Sequence, residues 1–151
     1  MQVIKFLDKS GVKYEVTEHR PIFTAQRMAA EDHESGKYVA KPVIVKVDGK
    51  YVMCVIAACC KVDMDALKSN LGAKTVELAE EKEIAKIFSD CEVGAEPPFG
   101  NLYDLIVILD KSLDKCDHIR FQGGTHKSSV RMSMDDYRKL ANPRILDISC
   151  H

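Results

Sequence analysis

Long apolar runs are absent from this sequence of 151 residues. No stretch approaches the ~20 consecutive apolar residues that a helix needs to cross a bilayer, which excludes a membrane-spanning helix. The amino-terminal segment interleaves charged and apolar side chains, whereas a signal peptide contains an uninterrupted apolar segment. We therefore expect a cytoplasmic protein without a membrane partner.

An excess of charge of either sign is also lacking. The sequence carries 22 Lys and Arg against 23 Asp and Glu, a net charge of -1, and its pI is about 6.5. Proteins that bind nucleic acids strongly on their own neutralise many phosphates and therefore carry a positive field. We expect no DNA partner, and any contact with RNA must use a local patch.

The signatures of common enzyme classes are missing. No glycine-rich turn has the spacing of a phosphate loop or a dinucleotide fingerprint after a strand. No strained turn presents a nucleophile with its base and orienting acid. Ser128 and Ser129 lie close to His126, but adjacent residues of a strand alternate sides, so they do not form such a set.

Cysteine is present, but not in a metal-binding pattern. Cys54, Cys59 and Cys60 lie in or at the end of one apolar strand-like run, where neighbouring side chains point apart. Cys59 and Cys60 are adjacent, and Cys91 and Cys116 stand far from them in the chain, so no zinc spacing is present. We expect reduced, mostly buried thiols, no metal site and no cofactor.

What the sequence does contain is the composition of one folded domain. Hydrophobic residues make up 46% and charged residues 30%, and the length suits one domain with a real core. We expect residues 1–151 to form a single mixed α/β domain that is rich in strands in the middle. The patterns predict helices before Gly11, over 24–33, over 63–71, over 80–89 and after Ser133, and strands over 13–17, 38–47, 50–59, 74–78, 102–109, 118–122 and 126–132. Residues 144–148 form either a last strand or an irregular end.

The clearest local signal is a hairpin around Asp48-Gly49. Asp-Gly between two apolar runs predicts a two-residue turn, which pairs Val47 with Lys50 and Lys41 with Ile56. Because side chains alternate along strands, this register gathers one set of residues on one face. That set is Val39, Lys41, Val43, Val45, Val52, Cys54 and Ile56. The opposite face carries Lys46 opposite Tyr51, and we expect it to be partly wet.

Lys41 is therefore a lysine among apolar neighbours. Burying an ammonium without a partner is costly, so the side chain either reaches out to solvent at the start of the strand or faces a cavity that holds an anion or a dipole. Pro42 follows it and cannot donate to a ladder, which suits a sheet edge or a break where a pocket opens. Both readings of Lys41 remain open at this point.

The segment 94–100, Gly-Ala-Glu-Pro-Pro-Phe-Gly, stands between a predicted helix and a predicted strand. Two prolines fix their own φ angles and remove two N–H groups, while the flanking glycines permit unusual backbone angles. We expect a stiff loop with flexible joints, either a rigid surface connection or one wall of a binding site.

The order of several short motifs resembles the YbaK and prolyl-tRNA synthetase-associated domain family of aminoacyl-tRNA deacylases. The motifs are Thr24-Ala25 with Ala29-Ala30, Val39-Ala40-Lys41, Gly94-x-x-x-Pro98 with Phe99-Gly100, and Gly123-Gly124-Thr125-His126 followed by Ser129-Val130-Arg131. The similarity covers roughly residues 12 to 140. It implies an α+β fold with a mixed, mostly antiparallel sheet that curls toward a barrel and is surrounded by helices.

The resemblance also implies an activity and a site. The family hydrolyses the ester between a wrong amino acid and the terminal adenosine of tRNA, here expected to be alanine or cysteine on tRNA for proline. Lys41, Gly94 and Pro98 match its catalytic positions, and Gly94 and its neighbours are expected to present backbone N–H groups to the ester. The expected substrate-binding residues are Ala95, Glu96, Phe99, Gly100, Gly123, Gly124 and His126. The attacking or activating group is expected to come partly from the substrate, as a ribose hydroxyl or a cysteine thiol.

The implied partners are the acceptor end of aminoacyl-tRNA and prolyl-tRNA synthetase. The segment Ala57-Ala58-Cys59-Cys60 departs from the family pattern, in which proline or glycine commonly makes the turn, so one edge of the pocket differs here. The alternative hypothesis is a binding module that grips aminoacyl or nucleotide ligands without turnover and docks on a synthetase.

Overall fold

The structure is a computed structural model and describes residues 2–18, 20, 21, 27, 30 and 35–150. The helix predicted over 24–33 falls almost entirely outside these residues. No helix within the described ranges is long and apolar enough to cross a membrane.

Helices and strands follow one another closely along the chain. Within the ranges 2–18 and 35–150, the α-helices are α1 (Gln2–Ser10), α2 (Met64–Leu71), α3 (Glu81–Ile87), α4 (Lys111–Asp114) and α5 (Met134–Ala141), and short 3₁₀ helices span Gly36–Tyr38 and Gly100–Tyr103. The strands are β1 (Tyr14–Glu18), β2 (Ala40–Val47), β3 (Lys50–Ala57), β4 (Lys61–Val62), β5 (Val76–Leu78), β6 (Ile106–Asp110), β7 (His118–Gln122), β8 (Ser128–Ser133), β9 (Arg144–Leu146) and β10 (Ser149–Cys150).

Local capping explains where two of the predicted helices begin and end. The Asp63 side chain accepts the backbone N–H of Ala66 at the start of α2, and Gly72 ends that helix in the left-handed conformation. Ser133 does the same for α5 by accepting the N–H of Asp136. Each of these signals is local in sequence, so the predicted bounds are confirmed within a residue or two.

The β2–β3 hairpin has the predicted register. Val47 pairs with Lys50 and Lys41 with Ile56, in an antiparallel ladder. This hairpin forms the centre of a five-stranded sheet of order β5-β2-β3-β6-β9, in which β6 runs parallel to both β3 and β9. The hairpin therefore carries Lys41 to one end of the largest sheet.

The remaining strands form two smaller sheets. One has the order β1-β8-β7 and the other pairs β10 with β4, all antiparallel. An isolated parallel bridge between Val39 and Arg120 joins the start of β2 to β7. The predicted mixed, mostly antiparallel α/β fold is confirmed, and the curl toward a barrel stays a prediction.

The five-stranded sheet is covered on both faces. The face with Val45, Cys54 and Ile56 packs against Leu67 of α2 and Ile148. The opposite face, which was expected to be partly wet, carries fully buried residues such as Met53 and Val55, and they belong to the larger core. The expectation is wrong at these positions because α1, the other sheet and the 94–100 loop cover that face. It holds toward the two ends of that face, at Lys46 and Tyr51 near the turn and at Pro42 near the start of β2, which are half-buried.

The apolar run 102–109 begins as a 3₁₀ helix and becomes a strand only at Ile106. Asp104 adopts a left-handed conformation, and the N–H of Leu105 bonds back to the carbonyl of Gly100, which ends the turn before the strand begins. A side chain at Gly100 would lie 2.8 Å from Val107 Cγ2, so this tight turn requires glycine. The predicted central strand is confirmed over Ile106–Asp110, with its first part corrected.

A buried carboxylate, Asp110, fixes the end of the chain. It is fully buried and accepts the N–H of Ile148 at 2.9 Å and the hydroxyl of Ser149 at 2.7 Å. The N–H and hydroxyl of Ser112 also donate to it. Because Ser149 begins β10, and β10 pairs with β4, this network holds the strand that directly follows Cys60.

Candidate active site

A cavity of about 830 Å³ opens at the end of the hairpin that carries Lys41. Its walls come from the start of β2, the turn after β3, the end of β5, α3, the 94–100 loop and the last residue of β7. Its lining is mainly apolar, with a few charged and polar side chains. The residues that line it are Ala40, Lys41, Pro42, Val43, Ile44, Ala58, Cys59, Cys60, Lys61, Leu78, Ala79, Glu81, Ile84, Val93, Gly94, Glu96 and Gln122.

Lys41 lies in this cavity and is held by a dipole. Its Nζ donates to the carbonyl oxygen of Cys60 at 2.9 Å, and the residue is half-buried. An ammonium has three N–H donors, so two remain for a ligand. Of the two readings left open by the sequence, the cavity that offers a dipole is the one observed.

The turn that holds Lys41 is the segment where the sequence departs from the family pattern. Cys59 is exposed and Cys60 is buried, and their sulfur atoms lie 3.8 Å apart. All six cysteines are free, as predicted, but the expectation that most are buried is wrong, since only Cys54 and Cys60 are buried. Burial raises the pKa of the Cys60 thiol. The turn contributes a backbone group to the site, the Cys60 carbonyl that accepts from Lys41.

One wall of the cavity is set by an ion pair. Lys46 on β2 and Glu83 on α3 lie 2.5 Å apart, and this contact lowers the pKa of Glu83 and raises that of Lys46. The N–H of Ala79 also donates to the carbonyl of Ile44, which ties the end of β5 to β2. Together these contacts fix α3, whose Ile84 faces the cavity.

The 94–100 loop uses some of its own N–H groups internally. Gly94 has a φ of +88° and donates its N–H to Glu96 Oε1 at 3.0 Å, and the N–H of Ala95 bonds to the carbonyl of Glu92. Pro97 and Pro98 have no N–H. This differs from the expectation that Gly94 and its neighbours present N–H groups to a ligand. The Glu96 N–H has no acceptor among the described residues and is the donor left for that role.

The loop is docked on the Gly123-Gly124 turn through its backbone. The N–H of Glu92 donates to the carbonyl of Gly124 at 2.8 Å, and the N–H of Gly124 donates to the carbonyl of Ala95 at 2.9 Å. Gly124 has a φ of +100°, which favours glycine. Gly124 thus holds the loop in place, and the glycine pair lies in the turn between the antiparallel strands β7 and β8.

His126 lies behind Gly94 and is buried. Its Nε2 lies 2.7 Å from the carbonyl oxygen of Val93, and its Nδ1 lies 3.4 Å from Nε2 of Gln122. A carbonyl only accepts, so Nε2 carries the proton and Nδ1 accepts from the Gln122 amide. Both ring nitrogens are occupied, and the ring joins the loop to β7. This arrangement makes His126 a positioning residue and gives it no free nitrogen for proton transfer.

The far half of the loop is anchored in the core. The Tyr137 hydroxyl donates to the carbonyl of Pro98 at 2.6 Å. The Phe99 ring packs edge-on against Phe6, Phe121 and Tyr137, with ring centroids 5.1 to 5.7 Å apart. The loop is therefore rigid at both ends, because one end is bonded to the glycine turn and the other is buried among aromatic rings.

The chain that forms this cavity matches a known protein family. Residues 19–140 match the aminoacyl-tRNA editing domain family, which is most of the chain. The chain belongs to this family of aminoacyl-tRNA editing domains. This match confirms the family predicted from the motifs and the predicted enzyme class, an aminoacyl-tRNA deacylase.

Two curated relatives resemble this editing domain over nearly its whole length. The chain is 26% identical over 151 residues to the Multifunctional Ser/Thr-tRNA deacylase ProXp-y of Escherichia coli (strain K12), which covers 97% of this chain and 90% of the relative. It is 27% identical over 144 residues to the Prolyl-tRNA editing protein ProX of Acetoanaerobium sticklandii, which covers 91% of this chain and 87% of the relative.

A solved structure shares the fold of the editing domain. It is described as a candidate trans-editing enzyme for prolyl tRNA synthetase and superposes with a TM-score of 0.86 at 18% identity, covering 99% of this chain and 96% of that one. At this identity the likeness carries the fold alone.

The predicted site residues divide into two groups in the editing domain. Lys41, Gly94 and Glu96 line the cavity. The others are not among its lining residues. Ala95, Pro98, Phe99 and Gly100 belong to the loop, Gly124 and His126 bond to residues 92–95, and Gly123 precedes Gly124. Sequence reasoning missed Gln122, a polar residue at the end of an apolar strand directly before two glycines, and that position was the available signal.

A metal centre has no basis in the described ranges. Within them, no group of three or more His, Cys, Asp and Glu side chains is arranged to hold a metal ion.

Proposed function

We propose that this protein hydrolyses the ester bond of misacylated tRNA in trans, on tRNA for proline that carries alanine or cysteine. The observation that carries the proposal is the cavity that joins Lys41 to the 94–100 loop. Its volume of about 830 Å³ suits an aminoacyl group together with the terminal adenosine, within the range of ~300–1,000 Å³ typical of small-ligand sites.

Lys41 is the electrostatic element of the proposed reaction. Its ammonium is oriented by the Cys60 carbonyl and keeps two donors for the ester carbonyl or a terminal phosphate. A preorganised cation stabilises the negative charge that develops on the carbonyl oxygen without reorganising during the reaction. The Glu96 N–H is a second candidate donor at the same wall.

The proposed general base comes from the substrate. Among the described residues no imidazole lines the cavity, because both nitrogens of His126 are bonded behind the loop. The ribose hydroxyl next to the ester, or the thiol of a cysteinyl group, lies within reach of the carbonyl carbon in any bound pose. In the cysteinyl ester the thiol attacks the carbonyl carbon, its proton passes to the departing ribose oxygen, and water then opens the thiolactone. In the alanyl ester the ribose hydroxyl orients the attacking water, because its own attack would only move the aminoacyl group to the neighbouring oxygen, and a proton of that water passes to the departing ribose oxygen.

Small apolar amino acids are the proposed substrates because the lining is mainly apolar. Side chains such as Ile44, Ala79 and Ile84 offer no partner to a buried hydroxyl. The methyl group of alanine and the thiol of cysteine give up few hydrogen bonds with water when they enter such a pocket. The name of the Escherichia coli relative makes serine and threonine the competing substrates, and a pocket discriminates by only ~1–3 kcal/mol per methylene.

Deacylation of alanyl-, cysteinyl-, seryl-, threonyl- and prolyl-tRNA for proline, measured side by side, tests this function. We expect release of alanine or cysteine to be fastest and release of proline to be slowest. Faster release of serine and threonine would contradict the proposed specificity. Affinity for aminoacyl-tRNA without any release would favour the non-catalytic binding module instead.

Prolyl-tRNA synthetase is the proposed protein partner. The net charge of -1 gives the chain little general attraction to RNA, so assistance by a synthetase would raise its occupancy on tRNA. Deacylation that speeds up when the synthetase is added at fixed tRNA concentration is the expected result. An unchanged rate would remove this partner.

Substitution of His126 distinguishes a positioning role from a proton-transfer role. We expect His126→Gln to keep most of the activity, because a glutamine amide can still donate to the Val93 carbonyl, and His126→Ala to lose about tenfold as the loop loosens. A general base would make both variants equally inactive, by ~10²–10⁴-fold. The measurement is the single-turnover deacylation rate of each variant.

A further inference from the structure

Glu96 is a buried acid that faces the cavity with few partners. Its residue is 8% exposed and lines the cavity wall. It accepts one hydrogen bond, from the N–H of Gly94 at 3.0 Å. Asp110, the other strongly buried acid in the described part of the chain, accepts four, from Ser112, Ile148 and Ser149. Glu96 therefore has unused acceptor capacity where Asp110 has little.

No cation within the described residues compensates Glu96. No lysine, arginine or histidine nitrogen there forms an ion pair with its carboxylate, and the Lys41 ammonium is bonded to the Cys60 carbonyl. Burying a carboxylate without a partner is costly, so such a group is stabilised when a cationic ligand group enters. Its free oxygen and its place on the wall of the cavity point to a ligand with a positive charge.

We propose that the Glu96 carboxylate binds the α-ammonium group of the aminoacyl ester. This inference rests on the proposed function and deepens it by naming the substrate class. The α-ammonium is the positive group at the acceptor end of an aminoacyl-tRNA with a small neutral side chain, while the RNA itself is anionic. Glu96 and Lys41 thus present opposite charges to the substrate from two walls of one cavity.

The consequence is a preference for esters with a free amino group. An N-acylated aminoacyl ester has no ammonium, and it leaves the Glu96 carboxylate buried without its partner. Charge-assisted hydrogen bonds are about twice as strong as neutral ones. We expect the free amine to be favoured by roughly 10- to 100-fold over its N-acetyl form, the range that a hydrogen bond to a charged group supplies.

The test uses ligands that the protein cannot deacylate. The probes are 3′-alanylamino-3′-deoxyadenosine, in which an amide replaces the ester, and its N-acetyl derivative, with both dissociation constants measured by calorimetry on the full chain. Wild type is expected to bind the free amine more tightly by the factor given above. Glu96→Gln is expected to bind the two probes equally, since its amide oxygen keeps the bond to the Gly94 N–H but has no charge.

Glu92→Gln is the matched control, because it removes the same charge from an exposed residue of the same loop. It is expected to keep the preference of wild type. Equal binding of the two probes by wild type would overturn the inference, and so would a preference that survives in Glu96→Gln. Weaker binding of both probes by the same factor in Glu96→Gln would show that Glu96 only shapes the loop, which also overturns it.

Deacylation of alanyl-tRNA by the same preparation separates this inference from the proposed function. If the protein prefers the free amine but releases no amino acid, the ammonium site is supported and the deacylase proposal is overturned. A protein that releases alanine but binds both probes equally keeps the deacylase proposal and loses the ammonium site.

Discussion

Deacylation by the Lys41→Ala variant is expected to be slower than wild type by about 10²–10³-fold, the loss typical when one preorganised electrostatic group is removed from a reaction site. The physical reason is geometric. The Lys41 ammonium is oriented by the Cys60 carbonyl at 2.9 Å and faces the cavity, and neither Lys46 nor Lys50 of the hairpin is among the lining residues. The single-turnover rate of alanine release from alanyl-tRNA is the measurement.

Lys50→Ala is the matched control for this result. Lys50 lies on the same hairpin at the turn end and is exposed, so its removal changes the net charge by the same amount away from the cavity. We expect it to keep wild-type activity. We also expect the free energy of unfolding of Lys41→Ala to lie within about 1 kcal/mol of the wild-type value, because the side chain is half-buried and makes one hydrogen bond. Full activity in the Lys41 variant would remove the lysine from the mechanism.

The Asp110→Ala variant is expected to lose about 3 kcal/mol of the free energy of unfolding, since removing one partner of a buried network leaves the others unsatisfied. The groups left without this acceptor are the N–H groups of Ser112 and Ile148 and the hydroxyls of Ser112 and Ser149. The exposed Asp147, substituted by alanine, is the matched control and should change stability by less than about 0.5 kcal/mol. Urea denaturation measures both, and equal stability of the two variants would refute the network.

The same carboxylate makes the stability depend on pH. Burial by itself raises the pKa of Asp110, but the hydrogen bonds from Ser112, Ile148 and Ser149 outweigh it and hold the pKa below its usual value. The folded state therefore binds this proton less readily than the unfolded state. The stabilisation is present above the ordinary pKa of an aspartate, near 4, and is lost as pH falls through the lower folded value.

We expect the stability gap between wild type and Asp110→Ala to be constant from pH 7 to about 5 and to shrink toward pH 3. Comparing the two proteins cancels the contributions of other acids that titrate in both. A gap that widens as the solution is acidified would mean that the pKa of Asp110 is raised on folding.

Both substitutions act on one connected structure. Asp110 holds Ser149, the strand that Ser149 begins pairs with β4, and β4 directly follows Cys60. The Cys60 carbonyl in turn orients Lys41. We therefore expect the Asp110 variant to be slower in deacylation at temperatures where it is still folded, through displacement of this turn.

Much of the fold follows from short-range signals. The Asp48-Gly49 turn determines the register of the whole hairpin, because one two-residue turn fixes every pair along both strands. Asp63 and Ser133 begin helices because a side-chain oxygen can accept an N–H three residues ahead. The strand predicted over 102–109 is wrong at its start, because apolar character alone does not distinguish a buried 3₁₀ turn from a strand.

The site was harder to derive than the fold. Motif order identified Lys41, Gly94 and Glu96, and these line the cavity. It also predicted that Gly94 and its neighbours donate backbone N–H groups to the ligand. The N–H groups of Gly94 and Ala95 instead bond to Glu96 and Glu92. It also counted His126 among the groups that touch the substrate, a role that stays a prediction, while both nitrogens of the ring are bonded to Val93 and Gln122. A hydrogen-bond partner over 30 residues away leaves no trace in local pattern.

By itself, then, the sequence determined the hairpin register, the helix caps, the rigid proline loop and the family to which the chain belongs. The reason is that each depends on residues within a few positions of one another, or on the order of motifs along the chain. The tertiary structure decided which faces are buried, what holds Lys41, how the loop sits on Gly124 and that Glu96 is a buried acid without a cation among the described residues. Those features depend on contacts between distant segments, and only the packed chain brings them together.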